Sequence, residues 1–372
     1  KEAIFLNDML LKMEPNHGGA RLLEVMMDLA DVNESKEDVR RLRQVVQNYE
    51  LLPWDAALAW GTLAGLECAI SQISNKCLSA WLKTFECATS LSPIEKDIAT
   101  KGVVNAANIM LKQQRPVEEV RKLGERAVRL GLLNDPLQLP GELVRGVSHS
   151  AWREDAKNWK AVRHLEKNFD VIREEVLAAY ESGAVTRDAV LETENLSIAG
   201  QWRELEIISN GIAKPRAWRL LPRTVGIVMA LRDGNTMVMG GSKVSLMEPG
   251  TVVRPHTGRT NARLRIHMGI SIPDGAFIRV NNETRTWTEG RCTVIDDSYV
   301  HEVWHNGDEK RIVLIVDIWH PELDLERRVE SLTDPPVLEM YRSMLKDPKM
   351  VLEMQGVPKA IIPDRFISEQ DD

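Results

Sequence analysis

Histidine and arginine are concentrated in one stretch of sixteen residues, RPHTGRTNARLRIHMG, which covers residues 254–269. Two of the eight histidines of the chain, His256 and His267, lie in this stretch together with four arginines. Neutral imidazole is a common metal ligand, and the planar guanidinium fork suits a carboxylate. The stretch is therefore a candidate for a functional site that uses imidazole and guanidinium groups.

His301 and Arg311 are a second pair of candidates, one on each side of a predicted hairpin. The strand-like runs SYVHEVW and KRIVLIVDIW are joined by HNGD, and the centre of this turn lies near Asn306. Because His301 and Arg311 are equally distant from that centre, we expect them to face each other across adjacent strands. An anion held between them would explain a cation beside a metal-binding imidazole.

Three interpretations of the histidines stay open from the residues alone. The first is that they are hydrogen-bonded structural residues, which is the role we expect for His305 and His320. The second is a zinc site, although no cysteine or third histidine has the spacing of a closed tetrahedral set. The third is a non-haem iron centre with two histidines and a carboxylate. The usual place of that carboxylate is residue 258, which is glycine here.

Residues 1–148 have the patterns of helices throughout. Capping boxes begin at Ser35 and Ser92. The stretch NAANIMLKQQRPVEEVRKLGERAVRLG (105–131) resembles a tetratricopeptide unit, with Ala127 at the small packing position of the second helix. We therefore predict an all-α, tetratricopeptide-like helical-repeat domain, with an irregular α bundle as the alternative.

The hydrophobic period changes near residue 200. An amphipathic helix over 158–180 comes first, and short strand-like runs such as 225–231 and 263–272 follow it, separated by Gly, Pro, Asn and Asp. This order predicts an α+β multidomain chain in which a β-sandwich or small barrel packs on a helix. The tail from Pro321 is again predicted to be helical. We place the three domains at residues 1–148, 149–325 and 326–372.

Composition limits the class of protein. The chain has 372 residues, of which 43% are hydrophobic and 28% are charged, as is typical of a globular protein with two or three domains. Its net charge of −7 and the lack of a basic run argue against nucleic-acid binding. No apolar stretch is long enough to span a bilayer.

The cysteines and the first residue bear on the compartment. No CxxC motif is present, so Cys68, Cys77 and Cys87 are expected to be small core residues of helices and Cys292 an inert core residue, which favours a reducing compartment. Because the chain begins at Lys1 and not with methionine, we expect a fragment or a processed form. The compartment therefore stays open between the cytoplasm and the lumen of the endoplasmic reticulum.

Three long motifs resemble the aspartyl/asparaginyl β-hydroxylase family: MEPGTVVRPHTGRTNARLRIHMGISIP, NNETRTWTEGRCTVIDDSYVHEVWHN and RIVLIVDIWHPEL. The likeness covers roughly residues 150–325. Members of this family are Fe(II)- and 2-oxoglutarate-dependent oxygenases with a double-stranded β-helix, a jelly-roll and cupin-like fold. Animal members carry tetratricopeptide-like helices in front, and this chain has the same order. The resemblance implies the same fold and the consumption of O₂ and 2-oxoglutarate, with release of succinate and CO₂.

The resemblance also implies roles for individual residues. Two positions match the iron ligands of the family: His256 of PHTG and His301 of HEVW. Arg311 would bind the distal carboxylate of 2-oxoglutarate. Positions that support or line the cosubstrate pocket match Ser245, Arg265, His267 and Trp202. Positions that reach towards an acidic substrate match Lys243 and Arg263.

Gly258 and two departures from the family bear on coordination and substrate. The family itself has glycine after PHT, so we expect Gly258 to leave one coordination place to water. The segment LETENLSIAGQW (191–202) lacks the acidic residue and arginine of the animal enzymes' substrate groove. The cysteines of their catalytic-domain disulfide are also absent. Asp296 and Asp297 are expected to make turn bonds or to orient a neighbouring histidine.

The sequence thus predicts a dioxygenase that hydroxylates Cβ of Asp or Asn in a peptide or protein, which the helical repeats would help to bind. Two alternatives stay open. One is an oxygenase or halogenase that acts on a small molecule, because an iron site without its carboxylate has room for halide. The other is a helical-repeat scaffold without catalysis. Iron-dependent turnover of 2-oxoglutarate would separate the scaffold from both enzymes.

Overall fold

The computed structural model describes residues 2–29, 36–87, 93–332 and 334–370. The chain divides into two compact units, Lys1–Gly141 and Glu142–Asp372. The predicted capping residues Ser35 and Ser92 lie outside the described residues. Among the described helices, none has the length and apolar character that a membrane span requires.

The described part of the first unit is helical. Its helices are α1 (Glu2–Met13), α2 (Gly18–Leu29), α3 (Lys36–Asn48), α4 (Pro53–Ile70), α5 (Asn75–Cys87), α6 (Pro93–Lys112) and α7 (Val117–Arg129). Helices α2, α3 and α4 pack through a buried apolar cluster that includes Leu22, Leu42 and Leu63. The all-α prediction is therefore confirmed. Tetratricopeptide-like repeats are not confirmed, and the helices vary in length from 12 to 20 residues.

A disulfide joins Cys68 in α4 to Cys77 in α5. The connection over residues 71–74 is short, so it brings the last turn of α4 beside the first turn of α5, with the two Cα atoms 5.1 Å apart. The expectation that both are simple core cysteines is therefore wrong, and the cysteines no longer favour a reducing compartment. Cys87 and Cys292 are free thiols.

The second unit contains short helices around its sheets. A 3-10 helix (Glu154–Asn158) is followed by α8 (Lys160–Lys167), α9 (Phe169–Glu181), α10 (Ala184–Asp188), α11 (Pro215–Leu220), α12 (Pro222–Met229), α13 (Arg232–Asn235), α14 (Leu325–Glu330), α15 (Pro335–Lys346) and α16 (Pro348–Met354). The helix predicted over 158–180 is divided at Asn168, whose side-chain amide donates to the His164 carbonyl 2.8 Å away. The run 225–231, predicted as a strand, is mostly α12, because Pro222 begins a helix there and its valines are buried at helical spacing.

Two antiparallel sheets form the rest of the second unit. The strands are β1 (Val190–Leu191), β2 (Ser197–Ala199), β3 (Trp202–Ser209), β4 (Ile212–Ala213), β5 (Gly241–Met247), β6 (Val252–His256), β7 (Arg263–Ser271), β8 (Ala276–Val280), β9 (Glu283–Arg285), β10 (Cys292–Ile295), β11 (His301–His305) and β12 (Arg311–Trp319). The seven-stranded sheet has the order β1-β3-β5-β12-β7-β10, with β4 on β3. The five-stranded sheet has the order β2-β6-β11-β8-β9.

The two faces of the seven-stranded sheet have different partners. One face packs on α8, α9, α11 and α12 through a large apolar cluster. The other face shares a core with the five-stranded sheet, in which Trp202, Met247 and Val313 meet Ile278 and Val303. Because side chains alternate along a strand, residues two apart from these core residues also point into the space between the sheets.

Strands β11 and β12 do not form the predicted hairpin. β11 pairs with β6 and β8, whereas β12 pairs with β5 and β7. Each strand is buried, and its backbone hydrogen bonds are made with two neighbouring strands of its own sheet. The connection between β11 and β12 therefore crosses from one sheet to the other. His301 shares the face of Val303, and Arg311 shares the face of Val313. The two residues therefore reach the same interior from opposite sheets.

Candidate metal and anion site

His256 and His301 are cross-strand partners at the ends of β6 and β11. The register shifts between His301 and Val303, and one additional residue on β6 turns His256 towards the interior. The centroids of the two imidazole rings are 4.1 Å apart. His256 Nδ1 donates to the Arg254 carbonyl and His301 Nδ1 to the Tyr299 carbonyl, each at 2.9 Å. Each Nε2 therefore carries a lone pair that is available to a metal ion.

Burial keeps both imidazoles neutral. It lowers the pKa of His256 well below 6.5, and the neighbouring His301 adds to this shift. Burial also lowers the pKa of His301, against the opposing charge of Asp297. A neutral imidazole is the form that binds a metal. Among the described residues, no group of three or more His, Cys, Asp or Glu is arranged to hold a metal ion.

The carboxyl group of Asp297 lies beside Gly258. The amide of Gly258 donates to the Asp297 carbonyl at 2.6 Å. A Cβ atom at residue 258 would lie 2.5 Å from the Asp297 carboxyl atoms, which is too close for any side chain. Glycine is needed at 258 because Asp297 occupies the space of its missing side chain. A carboxylate is therefore present near the histidine pair, but it comes from a different loop.

Asp297 belongs to a buried network of two arginines and two carboxylates. Arg263 Nη2 donates to Asp297 at 2.7 Å, and Arg265 donates to Asp317 at 2.7 and 3.0 Å and lies 3.2 Å from Asp297. Burial opposes ionisation of both carboxyls, but Arg263 and Arg265 hold their pKa values below the ordinary value. All four groups are charged, so the network is electrically balanced.

The positive charge of Arg311 is not balanced by a carboxylate among the described residues. It is 1% exposed, its Nη1 donates to Ser245 Oγ at 3.0 Å, and its Cζ lies 4.0 Å from the centre of the Trp287 ring. Among the residues that the structure describes, its buried Nε has no hydrogen-bond partner, and burial alone lowers its pKa to about 9. A buried guanidinium without a carboxylate is costly unless an anion neutralises it.

His267, Ser245 and Trp202 surround the Arg311 guanidinium. Trp287 Nε1 donates to His267 Nδ1 at 3.1 Å, so the proton of this neutral imidazole is on Nε2. That Nε2 is buried and has no partner among the described residues. Trp202 Nε1 donates to Ser245 Oγ at 3.0 Å. The Arg311 cation thus lies with two neutral donors, the Ser245 hydroxyl and His267 Nε2, in one buried region. This combination suits a carboxylate.

Lys243 and Arg263, the predicted substrate contacts, differ in their surroundings. Lys243 Nζ lies 2.5 Å from the Glu204 carboxylate and 5.6 Å from the Trp202 ring centre, and it is partly open to solvent. Arg263 is buried and also donates to the Met239 carbonyl at 2.9 Å. Arg265, which was expected near the cosubstrate, is held by Asp317 and Asp297. Neither arginine is free in the way that Arg311 is.

Three residues of this site were not singled out from the sequence. They are Trp287, Glu204 and Asp317. Asp317 carried a signal, because a single acid in the apolar strand RIVLIVDIW must be neutralised by a buried cation. His305 and His320 are confirmed as hydrogen-bonded structural residues, with Glu309 and Arg153 as partners.

The second unit is therefore a double-sheet β domain with a buried histidine pair and a buried guanidinium that has no carboxylate partner among the described residues. Residues 166–321 match the family model described as Aspartyl/Asparaginyl beta-hydroxylase. This segment of the chain is similar to that family, as the sequence motifs indicated.

Curated relatives and solved structures extend the comparison. Aspartyl/asparaginyl beta-hydroxylase of Mus musculus is 40% identical over 189 residues, which are 50% of this chain and 25% of the relative. Aspartate beta-hydroxylase domain-containing protein 2 of Rattus norvegicus is 37% identical over 172 residues, 45% of this chain and 50% of the relative. The chain thus spans half or less of these relatives. The match to a solved structure of a Pseudomonas putida prolyl-4-hydroxylase covers 46% of this chain and 92% of that protein, at 14% sequence identity. Its TM-score of 0.29 is too low for a conclusion.

Proposed function

We propose that the protein is an Fe(II)- and 2-oxoglutarate-dependent dioxygenase that hydroxylates Cβ of Asp or Asn in a peptide or protein. The single observation that carries this proposal is the buried guanidinium of Arg311. It lacks a carboxylate partner among the described residues and shares the interior of the β domain with two neutral imidazoles. A metal ligand pair and an uncompensated cation together suit a metal-bound dicarboxylate. The names of the curated relatives support hydroxylation as the reaction.

The strand order supports a double-stranded β-helix as the fold of the catalytic domain. From β5 onward the chain alternates between the two sheets, with β8 and β9 as the one consecutive pair in the same sheet. This alternation is typical of jelly rolls. The domain limits 1–148, 149–325 and 326–372, and a role of the helical unit in peptide binding, remain part of the proposal.

The two histidines have the donor atoms that an iron ion requires. His256 and His301 would hold it through Nε2, because each Nδ1 is occupied by a backbone carbonyl. Bound iron would supply the oxidising power by activating O₂. The chain itself fixes both ring planes, and it keeps Asp297 ionised through Arg263 and Arg265. The expectation that Gly258 leaves a place to water is corrected, because the Asp297 carboxylate lies in that space.

The residues around Arg311 fit 2-oxoglutarate. The guanidinium and Ser245 Oγ would bind its distal carboxylate, and His267 Nε2 would donate a further hydrogen bond. Trp202 and Trp287 line this place and exclude water from it. Arg265 would support the pocket through its ion pairs with Asp297 and Asp317.

Halogenation is disfavoured by Asp297. Halide in such a site would have to occupy the place beside Gly258, where an ionised carboxylate already lies. Like charges at this distance repel strongly in a buried environment. We therefore prefer hydroxylation to halogenation, and a peptide to a small molecule on the strength of the relatives' names.

Incubation with Fe(II), 2-oxoglutarate, O₂ and a library of Asp- and Asn-containing peptides tests the proposal. We expect succinate to form only when Fe(II) is present, and one peptide class to gain the mass of one oxygen atom. The His149→Ala variant, which alters an exposed histidine, serves as the matched control. Iron-dependent succinate without peptide oxidation would leave the small-molecule alternative, and no succinate at all would contradict both enzymes.

A further inference from the structure

Seven charged side chains of the described residues form one cluster around the candidate site. The four cations are Lys243, Arg263, Arg265 and Arg311, and the three carboxylates are Glu204, Asp297 and Asp317. Arg263 and Arg265 are balanced by Asp297 and Asp317, and Lys243 is balanced by Glu204. One positive charge is therefore left over, and it belongs to Arg311.

Glu204 is directed into the site by the register of β3. It is the cross-strand partner of Ser245, and its neighbour on the same face, Trp202, donates to Ser245 Oγ. Its carboxylate contacts Lys243 Nζ at 2.5 Å, and it is close enough to Arg265 to favour the charged form of that guanidinium. Glu204 therefore belongs to the same electrostatic environment as Arg265 and the residues around Arg311.

The Lys243–Glu204 pair lies at the accessible side of the cluster. Its side chains are 22% and 14% exposed and that of Arg265 is 16% exposed, whereas those of Asp297 and Asp317 are 1% and 2% exposed. A second molecule that enters after the cosubstrate would therefore meet Lys243, Glu204 and the paired guanidinium of Arg265 before the two buried carboxylates. The pair presents a lysine whose charge is already neutralised, together with a carboxylate that accepts hydrogen bonds.

We propose that Glu204 is a specificity-determining residue that makes the enzyme select an amide side chain, as in Asn, over a carboxylate side chain, as in Asp. This inference rests on the proposed function. Once Arg311 binds one carboxylate of the cosubstrate and the metal ion takes up the other, no unpaired cationic side chain of the cluster is left for a substrate carboxylate. Such a carboxylate would have to displace Glu204 from Lys243 or lie beside it, and both cost free energy. An amide can donate to Glu204 and leave the ion pair intact.

The test compares two peptides that differ only in Asn or Asp at the target residue, mixed in one reaction and measured by mass spectrometry. The ratio of their kcat/KM values does not depend on how much of the enzyme is folded. We expect the wild type to prefer the Asn peptide. Glu204→Gln should shift the ratio towards Asp by about tenfold or more, because Lys243 then has no counter-ion. In Glu204→Gln/Lys243→Gln the ratio should return towards the wild-type value.

Glu248→Gln is the matched control, because Glu248 also pairs with a lysine, Lys310, beyond the end of β5. Its peptide ratio should equal that of the wild type. A wild-type preference for the Asp peptide, or the same ratio in Glu204→Gln, would overturn the role of Glu204 and leave the oxygenase proposal standing. Iron-dependent succinate formation without oxidation of either peptide would overturn the peptide substrate, and the role of Glu204 with it.

Discussion

His256 and His301 face each other across β6 and β11, and each donates from Nδ1 to the carbonyl of the residue two positions before it. The same backbone arrangement thus fixes both rings with Nε2 free. The ring centroids are 4.1 Å apart, so both lone pairs are available to one small ion. This relationship is the structural basis of the proposed metal site.

Removal of either imidazole should abolish iron binding. His256→Ala and His301→Ala each remove one of two protein ligands, so the iron retained after gel filtration should fall to the level of the apoprotein. The circular dichroism spectrum should stay unchanged. His149→Ala should retain iron like the wild type. Normal iron content in both site variants would contradict the assignment of the ligands.

Arg311→Lys should weaken 2-oxoglutarate binding. Lysine keeps the charge but loses the guanidinium fork, the bond to Ser245 and the contact with Trp287. We expect a loss of about 1–3 kcal/mol in binding free energy, measured by calorimetry on the metal-loaded protein without O₂. The exposed Arg279→Lys variant is the control. Equal affinity in Arg311→Lys and Arg279→Lys would mean that the anion binds elsewhere.

The space beside Gly258 gives a third prediction. In Gly258→Asp the new side chain would overlap the Asp297 carboxylate, and two like charges would lie together. We expect lower stability and little turnover. Gly258→Asp/Asp297→Gly moves the carboxylate from one loop to the other, so iron binding should recover relative to the single variant. If Gly258→Asp behaves like the wild type, Asp297 does not fill that space.

We expect the titration of His320 to make the stability of the protein depend on pH. Burial, with Arg153 nearby, lowers its pKa from 6.5 to about 4. The unfolded chain therefore binds a proton at His320 before the folded chain does, and stability must fall as the pH drops from about 6.5 towards 4. The loss is about 1.4 kcal/mol per pH unit in this window. Urea unfolding at pH 7 and pH 5 should show a smaller loss in His320→Gln. An equal loss in both proteins would refute this origin.

Local patterns predicted much of the chain. The helical first unit, most strands of the second unit and the residues His256, His301 and Arg311 follow from periodicity, turn residues and long motifs. The predicted hairpin of β11 and β12 failed, because a strand–turn–strand pattern does not tell whether the two strands pair or cross between sheets. The proposed site does not depend on this hairpin, since both strands direct their interior faces into the same core.

Other features depend on contacts between distant parts of the chain. Arg265 and Asp317 are 52 residues apart, and Asp297 meets Arg263 across 34 residues. Their pairing decides which cations are neutralised, and the sequence alone does not indicate it. The same holds for the disulfide, since it depends on how α4 and α5 pack.

Oxygen labelling tests the central proposal most directly. A reaction with Fe(II), 2-oxoglutarate and a substrate peptide is run under O₂ in which both atoms are the heavy isotope. We predict one labelled oxygen atom in succinate and one in the hydroxyl group of the peptide, with equal amounts of the two products. Succinate and hydroxylated peptide that contain only unlabelled oxygen, or product formation without Fe(II), would contradict a dioxygenase.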